Sequence, residues 1–210
     1  MRFLSSAEKF AALTRFTAVT ATVFLSETFF FRLRALYVCE LAVDKNYLVT
    51  AGLTAIQGSA MDENQLFKAM QSDDAVLSAL GPREVFKPSS LLYDSALATT
   101  RAMKRSGVER LAVLSAAAHF PGIPNRIVSF VLRNHMRDSL RMEEIVQASD
   151  LNWTIARPPR LTEDDYTTYR SREGAAPKMG FTLARKAVAA FILVAIDQQK
   201  HFRKIVGIAK

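Results

Sequence analysis

The first 51 residues hold neither glycine nor proline, and the chain of 210 has eight glycines, seven prolines and one cysteine. Each scarcity excludes something. A lone thiol, Cys39, cannot build an intramolecular disulfide framework and suits a reducing compartment. One cysteine and three separated histidines (His119, His135, His201) offer no zinc spacing, and iron–sulfur ligation is equally unsupported. No apolar run reaches the length of a membrane span, because Arg15, Glu27, Arg32 and Arg34 interrupt the greasy N-terminal stretch. A secretory signal would have to use Arg2, Lys9 and Phe16–Leu25, and no clear small-residue cleavage site follows. No G-x-S-x-G elbow, Walker loop or H-E-x-x-H is present, so hydrolase, NTPase and zincin classes have no motif behind them. The expectation is a cytoplasmic chain with no membrane contact.

What is present is ordinary for a globular protein: half the residues are apolar and 23% are charged. The net charge of +8 comes mostly from scattered residues. The densest basic patch is Lys200, His201, Arg203 and Lys204, and Arg133, Arg137 and Arg141 form a line on one helix. Both are expected to be solvated surface, with no nucleic-acid partner. The length suits one domain over residues 1–210 with a substantial core, as a monomer or a homodimer.

Residues 1–51 are dense in phenylalanine and poor in turn signals. Arg2–Leu13 looks like a short helix, Thr17–Leu25 is β-prone, and Ala35–Val43 suits strand or helix. From Gly52 the pattern is clearer. Thr54–Gln57 is a strand candidate, then a helix runs from about Asp62, a plausible N-cap, to Gln71. Ala75–Leu80 is a compact apolar run ending at Gly81-Pro82. A helix over Ser89–Ser106 stops at Gly107. Val108–Leu114 is the next buried strand, ending in Ser115, and a loop with Pro121, Gly122 and Pro124 leads to the next helix.

That helix lies in the most informative stretch, Asp138–Arg160. Met142, Ile145, Val146 and Ser149 share one helical face, Trp153–Ala156 is a buried strand, and Pro158-Pro159 breaks the ladder. A polar, irregular region follows over Thr162–Lys178, then a helix near Leu183–Gln198 and a last run, Arg203–Ile208, expected at a sheet edge. The order β-α-β-α-β-α-β with continuous apolar strands predicts an α/β fold: a doubly wound, mostly parallel sheet covered on both faces. In such sheets ligands collect at the carboxyl ends of the strands.

Several phrases, taken jointly, resemble one family. They are Gln57-Gly58 with Asp62, D-A-V-L-S-A-L-G (74–81), A-M-K-R-S-G-V-E-R-L (102–111), L-S-A (114–116) and R-M-E-E-I-V-Q-A-S-D-L-N-W-T-I-A-R-P-P (141–159). In that order they are similar to the atypical short-chain dehydrogenase/reductase group, in particular its NAD(P)H-binding, NmrA-like and flavin/biliverdin-IXβ reductase members. The resemblance implies a Rossmann-like domain and NADP or NAD as cofactor. It also implies hydride transfer to a small redox-active molecule such as a flavin, quinone or bilin. A non-catalytic NmrA-like sensor, or a degenerate copy unable to bind dinucleotide, is the alternative.

By the same resemblance Ala79, Leu80 and Gly81 would run along the cofactor. Ser115, also the candidate catalytic residue, and Ala116 would lie beside the nicotinamide, with Arg157, Pro158 and Pro159 closing over that end. On residue type alone, Gly81-Pro82 is equally a plain turn, Ser115 a strand-end hydroxyl and Arg157 a surface ion pair.

Two features depart from the family pattern. The fingerprint G-x-G-x-x-G should follow the first strand, yet no glycine precedes Gly52. A side chain there would keep a pyrophosphate from the helix N-terminus and its amides. The N-terminal βα part is therefore expected to be irregular or degraded, as a replaced or out-of-frame segment of the same length would be. Translation of the coding DNA in its other two frames tests that origin. Finding no glycine fingerprint in either frame excludes the out-of-frame version. The second departure is the missing tyrosine–lysine pair: spacing back from Arg157 puts His135 and Ser139 at those positions.

Overall fold

The computed structural model describes residues 21–26, 32–38, 53–71, 73–82 and 84–210. The expected helix at Arg2–Leu13 lies outside them. Strands β1 (Ala21–Ser26) and β2 (Arg32–Val38) come first, followed by β3 (Leu53–Gly58). The ambiguous Ala35–Val43 segment is thus strand where it is described. Helix α1 (Glu63–Ala69) starts at Asp62, whose carboxylate accepts from the amides of Asn64 and Gln65 at 2.9 and 3.1 Å. Strand β4 (Ala75–Ala79) leads to helix α2 (Leu91–Ser106), which stops at Gly107 with φ +76°, a left-handed C-cap that glycine takes without a Cβ penalty.

Strand β5 (Arg110–Leu114) runs into a short 3-10 turn at Ala117–His119. The loop expected around Pro124 is instead mostly helix, α3 (Ile123–Val131). Its proline sits in the first turn, where a missing N–H breaks no hydrogen bond. Helix α4 (Arg133–Ala148) begins a turn earlier than the periodicity at Asp138 suggests, and feeds β6 (Asn152–Arg157). The polar stretch after Arg160 is not wholly irregular. It holds β7 (Arg160–Thr162) and β8 (Arg170–Glu173), and then come β9 (Thr182–Ala184), α5 (Arg185–Asp197) and β10 (Lys204–Ala209).

The main sheet has the order β3-β2-β1-β4-β5-β6-β10-β8, and β7 and β9 form a separate pair. β10 was expected at an edge and is interior, because the charged strand R-S-R-E of β8 pairs antiparallel outside it. Strands β4, β5 and β6 are buried along almost their whole length, as a sheet covered on both faces requires, with alternate residues pointing to opposite faces. Leu77, Ala112 and Ala156 pack beneath Ala187, Val188 and Phe191 of α5. Val76, Leu111, Val113 and Ile155 face Leu66, Leu92, Met103, Met142 and Val146 on the opposite side.

Two strands run against the rest, β8 at the edge and β1 in the interior. β2 and β3 are parallel, as are β4 with β5, β5 with β6, and β6 with β10. β1 is antiparallel to both of its neighbours, with Ala21 opposite Ala79 and Ala21 also opposite Tyr37. Its amino end therefore lies at the edge where every parallel strand ends.

Candidate functional site

At the carboxyl edge, β4 ends before Gly81, β5 before Ser115, and β6 at Arg157. Parallel registry pairs Ser78 with Val113 and Leu114 with Ala156, so these three tips are neighbours. The chain beyond β5 is fastened to the chain beyond β6. Ser115 N–H donates to the Ala156 carbonyl and Ala117 N–H to the Pro158 carbonyl, both at 2.8 Å. Ser115, Ala116, Pro158 and Pro159 therefore form one rigid lip. The Ser115 hydroxyl oxygen is sealed from solvent and has no hydrogen-bond partner among the described residues, so it is not the backbone-satisfying hydroxyl that its strand-end position suggests. An unmet buried hydroxyl costs about 1–3 kcal/mol.

Gly81 has a φ that is not left-handed, and an added Cβ there would meet no atom within 4 Å among the described residues. Leu80 is different, because its side chain is buried in the core beside Val113 and Leu92, leaving only its backbone for the edge.

Arg157 is not a surface ion pair. Its Nε and one terminal nitrogen donate to the two oxygens of Glu143 at 2.9 and 2.5 Å, and its guanidinium lies 4.8 Å from the Phe120 ring centre. The side chain is thus engaged inside the protein, tying α4 to the lip.

Around this pair lies a cluster of which the sequence singled out His135 and Ser139 but neither His119 nor Glu143. His119 Nε2 is 2.5 Å from the hydroxyl of Ser139, itself only 1% exposed. Burial pushes the His119 pKa below the ordinary histidine value; Glu143 opposes this, while Arg157 and His135 add to it. His135, the spacing-based counterpart of the missing tyrosine, has a sealed Nδ1 with no partner, and burial lowers its pKa against the opposing charge of Asp138. The signal that could have found the cluster is the acid at Glu143, within helical reach of Ser139, combined with an arginine at the end of a buried strand. Arg133, Arg137 and Arg141 are exposed, as a solvated face would be. Among the described residues no helix is long and apolar enough to cross a membrane, and no cluster of metal-ligating side chains occurs.

A mostly parallel sheet with helices on both faces and polar groups gathered at its carboxyl tips defines a Rossmann-like α/β protein. Residues 40–199 match the NAD(P)H-binding family, and the chain belongs to it. A Rossmann-fold NAD(P)-binding family protein from Shigella flexneri is 28% identical, with 76% of this chain and 71% of that one covered and a TM-score of 0.60. A short-chain dehydrogenase/reductase from Veillonella parvula, solved in complex with NADP, superposes with a TM-score of 0.67 at 19% identity, covering 80% and 77%. An oxidoreductase from Lactococcus lactis gives 0.59 at 15% identity, covering 76% and 72%.

The edge residues fit a dinucleotide unequally. The lip, held by the Ser115 and Ala117 amides on the Ala156 and Pro158 carbonyls, suits its nicotinamide half. The pyrophosphate of such a ligand normally rests on the turn leaving the first strand, at a helix N-terminus. Here β1 presents its amino end to that edge, and its carboxyl end, Ser26, lies at the opposite one. No helix N-terminus adjoins β1 among the described residues.

Proposed function

We propose that this chain is an NAD(P)H-dependent reductase of a small redox-active molecule of the flavin, quinone or bilin kind, acting in the cytoplasm. The observation that carries the reading is the NAD(P)H-binding family match over residues 40–199, which spans the lip that Ser115, Ala116, Pro158 and Pro159 build at the tips of β5 and β6. In this reading Ala79, Leu80 and Gly81 offer backbone along the cofactor, and Ser115 and Ala116 flank the nicotinamide. Arg157 acts through Glu143 to hold the lip in place rather than by clasping a phosphate. The bound cofactor supplies hydride; the protein supplies orientation and a dry edge. Titration with NADPH, followed by fluorescence, tests binding. Loss of dihydronicotinamide absorbance on adding flavin or quinone tests turnover. Saturable binding with turnover supports the reading, and binding without turnover favours a sensor.

The reversed β1 favours a second reading, a degenerate copy that no longer binds dinucleotide. Absence of any NADPH binding selects it.

A further inference from the structure

The buried cluster beside the lip has the parts of a proton-delivery device. His119 follows Ser115 by one short turn, and that turn is tied to β6 through Ala117. Its Nε2 is held by Ser139, which stands where the family pattern would place a lysine, and its Nδ1 has no protein partner among the described residues and is not sealed. The charged and titratable groups facing the ring are Glu143 and His135 of α4 and Arg157 of β6. Arg157 is already neutralised by its two bonds to Glu143, and the Nδ1 of His135 is buried, so His119 is the imidazole of this cluster whose Nδ1 is open to exchange a proton. Helix α3 is bonded to the same turn, through Asn125 to the Phe120 carbonyl and Ser129 to the Ala118 carbonyl, and exposes Ile127, Phe130 and Val131. The helix fastened to the turn that carries His119 thus presents an apolar surface.

We propose that His119, oriented by Ser139, is the proton donor for reduction of an apolar carbonyl compound (an aldehyde, ketone or quinone) at this edge. The inference rests on the reductase reading above. The carbonyl carbon accepts a hydride, with both electrons, from the dihydronicotinamide, which is left oxidised, and the carbonyl π pair moves onto oxygen. An alkoxide in a dry site is strongly basic, and His119 Nδ1 gives it a proton, completing the hydroxyl and leaving a neutral imidazole. Water restores the proton at Nδ1 after product leaves. A flavin acceptor has no need of this donor, so the device points to the carbonyl class.

The test uses the full chain, NADPH and phenanthrenequinone as the carbonyl probe. Expected are a rate that falls as pH rises through a value below 6.5, and a kcat about 100-fold lower and flat with pH in His119→Gln. Ser139→Ala keeps the donor and moves the limb to lower pH, because the imidazolium loses an acceptor. Independently of turnover, the His119 Cε1–H resonance should move when the quinone is added to protein with NADP. An unchanged pH limb in His119→Gln, or a resonance indifferent to the quinone, overturns the assignment and leaves the reductase reading standing. Failure of the wild-type chain to bind NADPH overturns both.

Discussion

Arg157 and Glu143 meet in a two-pronged ion pair whose side chains are only 10% and 2% exposed. The pair joins the last strand before the double proline to the third turn of α4, fixing the lip that carries Ser115. Removing one partner leaves a buried charge with no counterion, which typically costs about 3–5 kcal/mol. Glu143→Ala should lower stability by that order in urea unfolding. It should also lower the His119 pKa further, since Glu143 is the group that raises it. A histidine titration by NMR checks the second effect separately.

Asp138 caps a helix other than its own. Ser90 makes no side-chain bond to the amides opening α2; instead the buried Asp138 carboxylate of α4 accepts from Leu92 and Tyr93 N–H at 3.0 and 3.1 Å. Asp138→Ala should therefore destabilise by about 1–2 kcal/mol, the usual cost of losing an N-cap. Amide exchange should quicken first at Leu92 and Tyr93.

Stability should fall on mild acidification. The folded-state pKa values of His119 and His135 both lie below the unfolded value of 6.5. Between the folded value and 6.5 the unfolded chain binds more protons, so stability is lost as pH drops through that window and is fully present above it. Denaturant midpoints across this range should slope upward with pH. His119→Gln and His135→Gln should each remove part of the slope.

At the far end of the sheet, Arg110 is buried with no acid partner among the described residues. It donates to the carbonyls of Asn152, Ala195 and Lys200 and to the Thr154 hydroxyl at 2.5–3.2 Å. Burial lowers its pKa to about 10. The turn it holds contains three non-glycine residues with left-handed backbone, Gln199, His201 and Arg203. Lysine lacks the planar fork that serves several carbonyls at once, so Arg110→Lys should cost about 3 kcal/mol. Thermal unfolding measures this, and exchange should rise across residues 195–203.

Gly207 is fixed by packing. A Cβ there would lie 2.2 Å from the Ala175 carbonyl oxygen and 2.8 Å from the Ala176 Cα, both backbone atoms that cannot swing aside. Gly207→Ala should displace the 174–182 segment and destabilise by about 1–3 kcal/mol, with faster proteolytic cleavage within it.

Much of the fold was legible because its signals are local. The Asp62 cap, the Gly107 stop and the apolar strands at β4, β5 and β6 are set by neighbours a few residues away. The α3 helix was missed because Pro121, Gly122 and Pro124 suggest a loop, while Pro124 is harmless in a first turn. Strand β8 was missed because R-S-R-E has no apolar face, and none is needed at a charged sheet edge.

The sequence by itself determined the parallel α/β core and its family, and showed that the family's glycine fingerprint is absent before Gly52. Only the tertiary structure decided that β1 runs against its neighbours, that β10 is interior, that Arg157 is engaged by Glu143, and that His119 rests on Ser139. Periodicity records which face of an element is buried and is blind to strand direction. Pairings across 14 or 20 residues depend on how α4 lies over the strand tips, which no local pattern encodes.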